Sequence, residues 1–401
     1  MAAADEVRPW QEDVYRDLHQ HPELSHEEHR TAALVADRLG AAGFELTTGV
    51  GGTGVVGILR NGAGPTVLLR ADMDGLPVEE KTGLPYSSTE AGVMHACGHD
   101  MHTACLLGAA HLLAAGQQHW HGTLIALFQP AEETINGARG MVDDGLAQLT
   151  GPVDVALGQH VAPLPAGILA TARGPAMAGG ISIRVTVYGR GGHASRPETT
   201  VDPVVLASAI VMRLQGVVSR EIEPGDPAVL TVGSLRAGTK ANIIADRAEL
   251  LLNIRFYSEA ARSILLAAIR RIVTAECAAS GSPREPDIDI FEEAPLMVND
   301  ADVTSRVEAA FAAALGPDVT ITAPRVLGSE DFSEIANGVG APYSFWFFGG
   351  ADPDAFRAAA AADRLTTDIP SNHSPFYAPL IQPTLDVGTT ALVAAALEWL
   401  A

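Results

Sequence analysis

At 401 residues the chain is longer than one hydrophobic core usually supports, and 47% apolar with 18% charged residues suits a globular protein of two domains. A formal net charge of −22 argues against nucleic-acid partners, because that binding relies on Lys and Arg displacing counterions. No apolar run nears the roughly 18 residues of a membrane span, and Met-Ala-Ala-Ala-Asp-Glu-Val-Arg lacks the basic-then-apolar order of a secretory signal, so no membrane partner and a cytoplasmic location are expected.

In chain order, two helices are expected first, over 13–20 and 27–39, the second with Ala32, Leu34, Val35 and Leu39 as an apolar stripe. Short apolar runs at 55–59, 66–70, 123–128 and 153–157 have strand length, and 103–115 has helical composition, so this part reads as an α/β sheet domain. The pattern changes near Gly179. A strand over 181–188 is followed by a helix over 203–218, strands over 228–235 and 247–256, a helix over 259–279 and a strand near 288–291. That β-α-β-β-α-β order is the split βαβ sandwich and implies an inserted domain over 180–293, with 1–179 and 294–401 forming the first domain around it.

Four strings carry chemistry. Met94-His95-Ala96-Cys97-Gly98-His99-Asp100-Met101-His102 crowds thiol and imidazole before a helix, a set that suits zinc, although a His-rich surface turn would look alike. Phe128-Gln129-Pro130-Ala131-Glu132-Glu133 ends a strand in adjacent acids, which can divide metal binding from proton transfer or simply face water. Gly158-Gln159-His160 and Ala71-Asp72-Met73-Asp74-Gly75 follow two further strands, and ligands of an open α/β sheet collect outside the strands' carboxyl ends. Ile369-Pro370-Ser371-Asn372-His373-Ser374-Pro375 holds a remote His between prolines.

Other readings are weaker. Gly49–Gly54 and Gly189–Ala194 fit G-x-G-x-x-G but no helix follows to cradle a pyrophosphate, and no G-x-S-x-G elbow occurs. A Cys97–His99 nucleophile would leave the paired acids and distant His residues unused. A non-catalytic metal-containing scaffold would have no use for the second acid, Glu132. Cys105 and Cys277 sit among alanines and leucines as packing. His19, His21, His26 and His29 are expected in solvent, His111, His119 and His121 outside the chemistry, and His102 behind the ligands.

Arg70–Pro77, His95–Asp100, Pro130–Glu133 and Gly328-Ser329-Glu330-Asp331-Phe332, with Leu18–Ser25 ahead of them, resemble the amidohydrolase branch of the aminoacylase and glutamate-carboxypeptidase metallopeptidase family, the branch of hippurate hydrolases and auxin-conjugate hydrolases. The resemblance implies a metallopeptidase-like α/β catalytic domain with a mainly parallel sheet and an inserted ferredoxin-like lid or dimerisation domain. It implies two divalent ions, zinc foremost with manganese, cobalt or nickel as alternatives. Cys97 would bridge them, His99 and His160 completing one site and Glu133 and His373 the other, with Glu132 as proton carrier and Asp74 orienting a ligand. Other branches carry His where Asp72 stands and Asp where Cys97 stands, so the resemblance assigns Asp72 no role. In the inserted domain, Gly189–Ser195 resembles the lid motif whose His, here His193, helps hold an oxyanion. Asn242 and Arg255 lie in segments that approach the substrate, and an Arg fork suits a free carboxylate. The expected activity is hydrolysis of N-acyl amino acids, with dipeptidase or carboxypeptidase action as the alternative and a homodimer through the inserted domain as the expected assembly.

Overall fold

A computed structural model describes residues 2–401, with side chains from Val7 onward. The chain forms two compact units: Met1–Ala176 with Val298–Arg325 and Asp331–Ala401, and Met177–Met297 with Val326–Glu330.

The larger unit is built on an eight-stranded sheet. In spatial order its strands are Glu45–Val50, Gly54–Asn61, Gly122–Gln129, Thr66–Asp72, Val155–Pro165, Tyr343–Ala351, Leu169–Thr171 and Thr320–Thr322. The four central strands, from Gly122–Gln129 to Tyr343–Ala351, run parallel, and their near-continuous burial is what a sheet covered on both faces requires. Parallel register sets Asp72 beside Gln129 and Arg70 beside Gly158, so the polar residues that follow these strands start from one edge. The glycine string 49–54 turns between Glu45–Val50 and Gly54–Asn61, which pair antiparallel.

Two differences from the expected elements matter to the site. The helix expected from residue 103 begins at His99, after Gly98 at φ +91°, which puts His99 in its first turn. A side chain at 98 would also bring its Cβ within 2.4 Å of Val161, so glycine is needed twice over. The strand expected to end near Leu157 runs on to Pro165, because Tyr343–Ala351 pairs beside it, and His160 therefore lies inside a strand opposite Phe347.

The smaller unit has a four-stranded antiparallel sheet in the order Ala228–Ala237, Arg247–Phe256, Gly179–Tyr188, Asp287–Ala294, the strand order of the split βαβ sandwich. Alternate residues Ala248, Leu250, Leu252, Ile254 and Phe256 face a core shared with helices Pro203–Glu221 and Glu259–Ala279. Contrary to expectation, Pro203–Glu221 is long and apolar enough by composition to cross a membrane. Its Leu206, Ala207, Ile210, Leu214 and Val217 are instead core residues of this unit.

Helix Ala2–Gln20 ends in a side chain that sequence reasoning left in solvent: His19 is fully buried. It lies between Tyr15 and Tyr86, its Nδ1 2.6 Å from Asp100 and its Nε2 3.4 Å from Glu80, which ties this helix to the first turn of His99–Ala115. Burial disfavours the imidazolium, but the two carboxylates outweigh it and raise His19 to about 9. A folded-state value above the ordinary 6.5 means that this stabilisation is complete below pH 6.5 and is lost as pH rises through about 9. The share at stake is on the order of 3 kcal/mol, taking about 1.4 kcal/mol for each pH unit of displacement. Thermal unfolding followed from pH 6 to 10 should show the melting temperature falling across that window, with the slope largely gone in His19→Gln; an equal slope in both proteins would refute the assignment.

Candidate metal centre

The larger unit gathers the sequence-selected ligands. Asp72 and Asp74 leave one central strand, Glu132 and Glu133 follow the turn after another, and His160 lies within a third. Cys97 and His99 open helix His99–Ala115, and His373 comes from the loop after Leu365–Asp368. Ligand atoms of Cys97, His99 and His160 lie within 4.8 Å of one another, and so do those of Cys97, Glu133 and His373. The two triads share the thiol. Cys97 Sγ is 3.4 Å from His160 Nε2, and His373 Nε2 is 3.2 Å from Glu133 Oε1. Glu132 is buried beside them, its Oε2 3.9 Å from His99 Nε2.

Hydrogen bonds decide which nitrogen each imidazole presents. His99 Nδ1 donates to Asp74 Oδ1 at 3.1 Å, which turns Nε2 toward the thiol and the acids. His160 Nδ1 donates to Val161 O at 2.7 Å, leaving Nε2 toward Cys97. Buried His99 Nε2 has no hydrogen-bond partner among the described residues. An unpaired nitrogen in a buried, anion-rich cluster is what a metal ligand presents, and thiolate, imidazole and carboxylate together suit a divalent ion.

Asp72 is occupied otherwise. Arg70 donates to its Oδ2 at 2.7 Å and His102 Nδ1 to its Oδ1 at 2.5 Å. Val161 N–H donates to His102 Nε2 at 2.7 Å, so both nitrogens of His102 are engaged and the ring braces the strand beside His160. Behind this, Asp331 of the Gly328–Phe332 string accepts Gln129 Nε2 at 2.7 Å, Ala138 N–H at 3.1 Å and Arg70 at 3.3 Å.

Proton affinities follow the crowding. Burial is the largest influence on Cys97 and pushes its thiol up. Cys97 first and Glu133 next raise His373 to about 10, against some desolvation. For His99 burial opposes the charge, yet Asp72, Cys97 and Asp74 outweigh it and hold the ring well above its ordinary value. Asp74 is penalised by burial but kept below the usual carboxylate range by His99 and Ser25. His95 sits two residues from the thiol with neither nitrogen bonded among the described residues, and burial lowers it to about 4, so it stays neutral.

Sequence reasoning missed several supports. Asn372 Nδ2 donates to Cys97 O at 2.9 Å and Val161 O at 3.2 Å, and His373 N–H donates to Ala96 O at 2.8 Å, so the loop is latched to the other ligands' backbone. His373 itself holds φ at +69°, a conformation that this latch has to maintain. Ser25 Oγ donates to Asp74 Oδ2 at 2.7 Å. Such partners are common residue types far apart in the chain, and no local pattern marks them.

The remaining candidates belong to the smaller unit. His193 and Ile243 pair in a two-stranded ribbon, and Ala194 N–H donates to Asn242 O at 3.2 Å. Ser195 N–H donates to His193 Nδ1 at 3.1 Å, so a neutral ring carries its proton on the exposed Nε2. Arg255 lies apart from that ribbon, on strand Arg247–Phe256, with its guanidinium on Asn253 Oδ1 and Ser329 Oγ.

With this geometry in view, comparison with known proteins is informative. The chain is 40% identical over 350 residues to thermostable carboxypeptidase 1 of Saccharolobus solfataricus, covering 86% of each chain. It is 38% identical over 339 residues to N-acetyl-L-cysteine deacetylase of Bacillus subtilis, covering 84% of this chain and 79% of that one. Its fold superposes with a TM-score of 0.81, at 29% identity over 98% of each chain, on the Bacillus subtilis YXEP protein, described as a dinuclear metal-binding peptidase of the M20 family. Residues 68–364 match the family model for peptidase family M20/M25/M40, and the chain is a hydrolase belonging to that family.

Proposed function

We propose that this chain hydrolyses the amide bond of N-acyl amino acids, releasing a carboxylic acid and a free amino acid, at a centre of two divalent ions. The observation that carries the reading is the pair of donor triads sharing Cys97, with Glu132 buried alongside. Cys97, His99 and His160 would hold one ion and Cys97, Glu133 and His373 the other. The thiolate favours zinc, with manganese, cobalt or nickel as alternatives. When bound, such ions supply Lewis acidity for the amide carbonyl and for water.

The chain's own residues then divide the work. Glu132 takes the proton of the attacking water and returns it to the departing amine nitrogen. Asp74 keeps His99 in the tautomer that presents Nε2. His193, with its proton on Nε2, is the oxyanion donor, and Asn242 holds the substrate nearby. Arg255 has only neutral hydrogen-bond partners among the described residues, so its charge remains for the substrate's carboxylate. The smaller unit would thus act as a lid, and we assign it the contact between two copies of the chain. Three unpaired cysteines suit a reducing compartment, and we place the enzyme in the cytoplasm.

The similarity to a carboxypeptidase supports a second reading, action on small peptides, which shares the same centre and the same need for a free carboxylate. Chelated and reconstituted protein, offered N-acetyl, N-benzoyl and N-indoleacetyl amino acids beside dipeptides, separates the two. We expect about two ions per chain and chelator-sensitive release of amino acid from acyl substrates; turnover of dipeptides alone would favour the peptidase. Cys97→Ser should lose metal, because both sites give up a shared donor. Glu132→Gln should retain metal while kcat drops by about 10²–10⁴-fold; unchanged turnover would remove Glu132 as proton carrier.

A further inference from the structure

We infer that Glu28 is a positioning residue for Glu132: its carboxylate, brought in from the N-terminal segment, fixes the turn that aims the proton carrier. The inference rests on the reading of Glu132 given above.

The turn after strand Gly122–Gln129 is an unusual piece of backbone. Ala131 and Ile135, both non-glycine, hold φ at +51° and +53°, in the left-handed region that side chains disfavour. Gly137 closes the turn so tightly that a Cβ there would lie 1.7 Å from Pro130 O. Ala131 is fully buried, so its N–H needs an acceptor inside the protein.

Glu28 provides it. Its Oε1 accepts Ala131 N–H at 2.8 Å and His26 N–H at 3.0 Å, and its Oε2 accepts the Thr53 hydroxyl at 2.5 Å. Two residues further along the turn, Asp74 Oδ2 accepts Glu133 N–H at 3.0 Å. Glu132 is therefore held between two backbone N–H groups, each gripped by a carboxylate from elsewhere in the chain. His26 Nε2, 2.9 Å from Asn136 Oδ1, adds a second tie between the same two segments.

A simpler role for Glu28 would be to cap helix His29–Ala41, whose N-cap position it occupies. Its side chain makes no capping hydrogen bond. The carboxylate is turned away from the helix N–H groups, where such a residue ordinarily contributes, and toward Ala131. Glu28 itself is fully buried, and its hydrogen bonds reach no member of the two donor triads. Asp74 differs on this point, since it also orients His99, so of these two carboxylates Glu28 is the one whose hydrogen bonds touch no triad side chain.

The test uses the metal-loaded enzyme and its best N-acyl amino acid, reading kcat, KM and metal content together. Glu28→Ala should lower kcat by about 10–100-fold, the scale of a misplacement of about 1 Å, with KM and metal content essentially unchanged. Glu28→Gln should recover most of the rate, because its amide oxygen still accepts Ala131 N–H. In a Glu132→Gln background Glu28→Ala should have no further effect, since it acts through the missing carboxylate. Wild-type kcat in Glu28→Ala, metal loss that accounts for its defect, or the same fold-loss in the Glu132→Gln background would each overturn the inference. If Glu28→Ala does not fold, Glu28→Asp keeps the charge but shortens the reach and should lower kcat in the same way; full activity there would overturn it equally. Full activity of Glu132→Gln alone would instead refute the assignment of Glu132, which keeps the two failures apart.

Discussion

The structure depends on an electrostatic constraint at Cys97. A thiol, the paired acids Glu132 and Glu133, and Asp72 and Asp74 are brought around His99 in a buried space, where like charges repel far more than they do in water. Such a set persists only if positive charge is shared among its members. Arg70 balances the charge of Asp72 from behind while the neutral ring of His102 donates to it, and Nε2 of His99 is turned toward the thiol and the two glutamates. The fold's task is to hold these groups together in spite of their charge.

It does so by drawing each support from a different part of the chain. Parallel strands align Asp72 and Gln129, the start of helix His99–Ala115 delivers the thiol and one imidazole, and Asn372 ties the His373 loop onto both. The segment from His19 to Glu28 contributes three contacts: His19 to Asp100, Ser25 to Asp74 and Glu28 to Ala131. None of these three residues belongs to a donor triad, yet Asp100 and Ala131 are the chain neighbours of His99 and Glu132, and Asp74 orients the His99 ring. A segment with this distribution of contacts is a brace, and the polarity of His19, Ser25 and Glu28 reflects their partners instead of solvent.

That distinction explains what could be read from the sequence. The candidate ligands were legible because thiol, imidazole and paired acids, each common alone, recur together at the ends of several strands, and the change from α/β sheet units to β-α-β-β-α-β order marked the smaller unit. The braces were not legible. His19 sits among polar neighbours and looks solvated until Asp100, eighty-one positions away, is seen beside it. The extension of one central strand through His160 to Pro165 depends on pairing with Tyr343–Ala351, and the return of Val326–Glu330 to the smaller unit has no local pattern behind it. Buried polar partners are chosen by three-dimensional proximity, and sequence periodicity reports only which side of an element is apolar.

The same crowding would couple metal uptake at the proposed centre to protons. Burial pushes the Cys97 thiol up, while Cys97 and Glu133 raise His373 to about 10. Groups that repel one another as anions satisfy part of that repulsion by keeping protons, and a divalent ion has to displace those protons to be bound. An aspartate in place of Cys97 would start from an intrinsic pKa far below a thiol's and would hold a proton less firmly in the same surroundings. If Cys97 serves both ions as proposed, its thiol would make occupancy steeper in pH, and its softness would weight the choice of ion toward zinc. Both consequences would follow from one residue serving two triads, so a change at Cys97 would alter proton release, metal preference and geometry together.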